Sequence, residues 1–166
     1  GSSLLQRLYT TPLTPIDFIL GYTLPIIPIS IAQCIICYVA AIILGLKITV
    51  GILYAVILIV PVSILYISLG LLCGSILNDK QVGGVCGALL TNLSAWLSGV
   101  WFDLELVGGT FKKIAYALPF VHAVELERAA LSGDFSNIFS DLCWVVGYAV
   151  VILVVAVFMF LRQMKK

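Results

Sequence analysis

The chain has 166 residues, of which 62% are hydrophobic and 10% charged, with a mean hydropathy of +1.19. Those values lie outside the range of a water-soluble globular domain and define an integral membrane protein. A net charge of +1 excludes a broad basic surface for nucleic acid and an acidic tail, so the placement of charge is more informative than its total.

The chain opens on a polar stretch that runs into YTTPLTPIDFILG at residues 9–21. Ser2 and Ser3 suit the cap of a short helix over 4–9, with Leu4, Leu5 and Leu8 on one face and Tyr9 at its end. Thr11 precedes Pro12 and is pushed out of the helical region, so that helix stops near Thr10. Thr14 then suits an N-cap, Pro15 the first helical position, and Asp17 the acidic place near the positive helix end. The pattern predicts a short amphipathic helix, a rigid elbow at Pro12–Leu13, and a membrane helix entered at a fixed angle. Two readings stay open for it, a lever that binds a partner and a surface helix that anchors the first span. With no initiator Met and no signal peptide ahead of the first apolar run, Gly1 is expected to be a processing, cloning or truncation boundary.

Crossing about 30 Å of hydrocarbon takes about 20 apolar residues, and four stretches reach that length without a charge. They are 18–46, 48–77, 81–102 and 142–161, predicting an all-α, polytopic bundle of four transmembrane helices. Polar turns at 45–49 and 78–80 make neighbouring spans antiparallel. Arg162, Lys165 and Lys166 follow the last span directly and mark its end as cytoplasmic, which places both termini on that side. Arg7 and Lys80 join them, while Lys47, Lys112, Lys113 and Arg128 fall outside. Five cysteines all lie inside apolar runs and act as small hydrophobes, so neither a disulfide framework nor a role for the Cys34–Cys37 pair is expected. Gly70 with Gly74, Gly83 with Gly87, and Ser94 with Ser98 recur four apart, predicting close packing of spans two and three, within the subunit or across a dimer. The third span is the most polar; Asn92, Ser94 and Ser98 either stitch helices together or line a substrate path.

Between spans three and four, residues 114–131 are long enough to cross but carry His122, Glu125, Glu127 and Arg128. Three charges at the bilayer centre would cost about 8–10 kcal/mol, so the segment should not span. Pro119 divides it, and glycines at 108–109 and 133 punctuate its ends, which predicts a re-entrant helical hairpin over 110–133 at the outer face. Trp96, Trp101, Phe102 and Tyr116 are placed as an aromatic belt. In the hairpin, Glu125 or Glu127 is expected to pair with Arg128 and His122 to hydrogen-bond locally, with substrate exit or gating as the other role. His122 and Glu125 share a helix face, but a zinc site needs at least one further ligand and the chain has no second histidine, so no metal is expected.

No phosphate-binding G-x-x-x-x-G-K-[ST] loop occurs, and no nucleophile–base pair is in view. The chain is therefore read as non-catalytic and without a cofactor, with any ATP hydrolysis on another polypeptide.

RLYTTPLTPIDFILGYTLP, residues 7–25, resembles the cytoplasmic segment after the second span of ABC-2 type transporter permeases. Gly1, Ser2, Leu4, Leu8, Thr11, Pro12, Leu13, Thr14, Asp17, Phe18, Ile19 and Gly21 fall on that family's pattern. LSGVWFDLELVGG, residues 97–109, resembles the end of its fifth span, and Pro119, His122, Arg128 and Gly133 fall in register with its re-entrant segment. The resemblance implies that residues 1–9 form a coupling helix on an ATP-binding cassette ATPase subunit, and that the four spans are numbers three to six of a permease. It also implies a second permease subunit, a location in a bacterial plasma membrane, and ATP and Mg bound by the partner. Export of an amphiphilic, lipid-like, drug-like or glycan cargo by alternating access is the function expected. A non-transporting regulatory or immunity subunit that docks through the same helix is the alternative.

Overall fold

The computed structural model describes residues 15–164, and every regular element among them is helical. The first helix, α1, runs from Pro15 to Ile43 and continues through Pro25 and Pro28. It closes on paired bonds, Leu46 N–H to the Ala41 carbonyl at 2.9 Å and Gly45 N–H to the Ile42 carbonyl at 3.0 Å, which turn the chain back. Helix α2 follows, Val50–Ile76. Asn78 and Gln81 then form a capping box that starts α3, Asp79–Gly84. A π-helical segment, Val85–Leu90, and α4, Thr91–Leu97, continue it without a break. Short α5, Leu104–Val107, is capped by the Asp103 carboxylate on the Glu105 N–H, and leads to α6, Gly109–Ala117, α7, Pro119–Ser132, and α8, Ile138–Met164.

Among the described residues, three helices are long and apolar enough to cross a membrane: Thr23–Ile43 within α1, all of α2, and Ile138–Met159 within α8. The fourth predicted span, 81–102, differs. Its helix ends at Leu97 and changes register on the way, where the Thr91 hydroxyl donates to the Cys86 carbonyl five residues back at 2.9 Å. That bond spans the same five-residue step as the π-helical backbone beside it.

The core lies where α2, α7 and α8 meet, around Leu65, Leu126 and Val145, with Val62, Ala123 and Ala149 beside them. A second cluster joins Leu97, Leu104 and Ala115 to Phe120 and Val121. Helix α7 lies along the first half of α2. At one end Gly51 meets the backbone of Ala130 and Leu131, and at the other Tyr66 meets Phe120, with ring centroids 6.3 Å apart. Those contacts are fifteen residues apart on α2, about 22 Å at 1.5 Å per residue, so the hairpin is a wedge reaching the middle of α2. Helix α1 packs against α2, but none of its apolar window is buried.

Gly51 makes the close approach. A Cβ there would stand 2.6 Å from the Ala130 carbonyl oxygen and 2.8 Å from that of Leu131, and backbone cannot step aside as a flexible side chain does. Gly51→Ala should therefore destabilise the fold by about 1–3 kcal/mol, read by chemical unfolding in mild detergent. Gly70→Ala is the control: no atom lies within 4 Å of a Cβ there, so stability should hold or rise slightly. Gly74, Gly83 and Gly87 are equally open. The four glycines thus do not bring spans two and three together inside the subunit, because the tight crossing is between α2 and α7.

Candidate functional site

The break at Pro119 builds a site. Proline has no N–H to continue α6, and the last carbonyls of a helix lack partners inside it, so those of Tyr116 and Ala117 need donors. The Tyr148 hydroxyl of α8 donates to the Ala117 carbonyl at 2.6 Å. His122, one turn into α7, places Nε2 3.1 Å from the Tyr116 carbonyl. A carbonyl only accepts, so Nε2 carries a proton and donates. The other ring nitrogen, Nδ1, lies 2.8 Å from Oδ1 of Asp141 in the first turn of α8. His122 and Asp141 are 7% and 6% exposed, and the imidazole stacks on Trp144 with centroids 4.9 Å apart. A buried, twice-bonded imidazole therefore pins the hairpin to the start of the last helix.

Glu125 stands one turn further along α7, where its Oε1 accepts from the Tyr116 hydroxyl at 2.9 Å. Burial first, and then the Glu125 hydrogen bond and the carboxylates nearby, push the Tyr116 hydroxyl up to about 12, so it stays a donor. Arg128 reaches across to the Gly99 carbonyl with Nη2 at 3.2 Å. Ser98, Trp101, Tyr116, Glu125 and Arg128 share the wall of a cavity of about 350 Å³ between the end of α4 and the hairpin. Lys112 pairs with Glu105 at 2.7 Å and joins α6 to α5. Gly133, with φ +76, ends α7 in the left-handed conformation that glycine adopts without strain.

The pairing of Arg128 with Glu125 or Glu127 is not what forms. Ion pairs among the described residues are Lys112–Glu105 and His122–Asp141. Glu127 and Arg128 are adjacent in sequence and point to different faces of the helix, and Arg128 is taken by the Gly99 carbonyl. Glu127 instead lies on the side of α7 near Cys34 and Tyr38 of α1, its Oε1 buried without a hydrogen-bond partner. Burial raises its carboxyl from 4.5 to about 7. The folded state then holds a proton that the unfolded state has released between those values, so stability falls as pH rises from about 4.5 to about 7 and stays lower above. Glu127→Gln should be more stable than the parent at pH 8 and no different near pH 4, measured by thermal unfolding.

The polar residues of the third segment bond their own helix. Asn92 Nδ2 donates to the Ala88 carbonyl at 2.7 Å, Ser94 to that of Thr91 at 3.0 Å, and Ser98 to that of Ala95 at 3.0 Å. Ser94 also interacts with the Tyr66 hydroxyl of α2, and Ser98 faces the cavity. Asp17 lies exposed in the first turn of α1, whereas Leu4, Leu5, Leu8, Tyr9, Thr11, Pro12 and Thr14 lie outside the described residues. Sequence reasoning missed Asp141, which it left just outside the last span. An acid in the first turn of that helix was the available signal.

Residues 1–131 match the family model of the ABC-2 type transporter, ABC2_membrane. The chain belongs to this family. Searches of curated proteins and of solved structures find no match. As an ABC-2 transporter membrane domain, the chain is a multi-pass membrane protein and a permease subunit of an ABC transporter, not itself catalytic, whose family works with an ATPase. The match ends in the last turn of α7, so the His122–Asp141 contact ties the matched region to the helix beyond it.

Proposed function

We propose that this ABC-2 permease exports an amphiphilic cargo, lipid-like, drug-like or a lipid-linked glycan, with a separate ATP-binding cassette subunit supplying the energy. The observation that carries this reading is the scarcity of charge in the spans: α2 has none, α1 has none after Asp17, and the apolar window of α8 carries only Asp141 near its start. A hydrophilic ion would need paired charges or a polar lining along its route, whereas an apolar body with a polar head moves along faces of this kind. The chain works in the plasma membrane, of a bacterium on the family resemblance, with both ends inside, supported by the cations at 162, 165 and 166. Residues 1–9 couple to the ATPase, and a second permease subunit completes the path, since the apolar faces around Gly70, Gly74, Gly83 and Gly87 are open. ATP closes the motor domains, each presses on a coupling helix, and the Pro12 elbow tilts α1.

Co-reconstitution of the full chain with its ATPase in vesicles tests this. ATP-dependent movement of a fluorescent amphiphile, absent with a non-hydrolysing ATPase, is the expected result. Association with the ATPase but no ATP-dependent movement of any amphiphile would favour a regulatory subunit instead.

A further inference from the structure

We propose that His122, Glu125 and Asp141 form a binding site for a divalent transition-metal ion of the zinc class. Nδ1 of His122 and one carboxylate oxygen each from Glu125 and Asp141 lie within 4.8 Å of one another, His122 and Asp141 buried and Glu125 half-buried. One imidazole nitrogen with two carboxylate oxygens is a donor set that suits zinc. Each ligand on α7 is also held from behind. His122 donates from Nε2 to the Tyr116 carbonyl, which turns Nδ1 toward the carboxylates, and the Tyr116 hydroxyl fixes Oε1 of Glu125. Ligating histidines are oriented in this way in metal centres generally.

Charge points the same way. Once the proton between Nδ1 and Oδ1 is released, the imidazole and the two carboxylates carry −2, which a divalent ion neutralises. The nearby cations do not: Arg128 is turned to the Gly99 carbonyl and Lys112 to Glu105. The proton that Nδ1 and Oδ1 share is released when the ion enters between them. Glu125 also lines the cavity beside Ser98 and Arg128, which provides an approach and room for a further ligand such as water. The ion would lock the hairpin to α8 from the outer side.

The test uses the full chain in detergent with its cysteines replaced, stripped with chelator and titrated with Zn²⁺, and needs no ATPase. One equivalent should bind, and the unfolding temperature should rise by a few degrees at saturation. Glu125→Gln, which leaves the buried His122–Asp141 pair intact, should weaken binding at least tenfold. Glu127→Gln, on another face of α7, should bind as the parent does. Absence of stoichiometric Zn²⁺ binding in the folded parent, or equal affinity in Glu125→Gln, overturns the proposal. Failure here leaves the export reading untouched, and failure of transport leaves the site untouched.

Discussion

Asp141→Ala is expected to cost the folded chain about 3–5 kcal/mol, the range found when one partner of a buried, hydrogen-bonded ionic pair is removed. The substitution leaves His122 buried against Trp144 with Nδ1 facing no partner, while Nε2 still holds the Tyr116 carbonyl. Asp141→Asn should cost less, about 1 kcal/mol, because the amide can donate to Nδ1 and satisfy the neutral ring. Replacing both partners, His122→Leu with Asp141→Leu, should recover a large part of the loss, since apolar groups of similar size carry no desolvation penalty. Unfolding in mixed detergent of His122→Leu, of Asp141→Leu and of the double variant gives the coupling directly. Additive effects would mean that the pair does not hold the hairpin to α8.

The second large effect concerns the inner face. Leu4→Asp with Leu8→Asp should abolish co-purification with the ATPase and drop ATP-dependent transport to background, while the chain still inserts and folds. A helix over 4–9, as the sequence predicts, would put those leucines on one face, and a charge in the middle of an apolar docking patch costs several kcal/mol, enough to weaken a micromolar contact more than a hundredfold. Thermal stability of the chain alone should be unchanged, because the core is built from α2, α7 and α8. Undiminished ATPase binding by this variant would return the segment to the role of a membrane-surface anchor.

What could be read from the residues was local. Pro119 and Gly133 act through their own backbone chemistry, and α7 starts and stops on them. The long uncharged runs gave α1, α2 and α8 because length and hydropathy alone decide a candidate crossing. Asp141 was illegible as a partner of His122, since nineteen residues and a loop separate them and only packing brings α8 against α7. Gly51 was overlooked for a similar reason. Spacing of four drew attention to Gly70 and Gly74, yet the crossing needs one glycine where two backbones meet, and no period marks such a place. Nor does composition reveal the π segment, beside which the Thr91 hydroxyl reaches the Cys86 carbonyl five residues back. Glu127 reversed its expected pairing because adjacent residues on a helix diverge, a geometric fact that was available in advance.

The hairpin wedge is expected at the outer face of the membrane and the motor at the inner one, and cysteine labelling in intact cells tests that arrangement most directly. In a background with the five native cysteines replaced, Lys47→Cys and Lys113→Cys should react with an impermeant maleimide added outside, and Lys80→Cys should react only after the cells are opened. Labelling of Lys80→Cys from outside, with Lys47→Cys and Lys113→Cys protected, would turn the molecule over and leave the N-terminal segment where no ATPase could reach it.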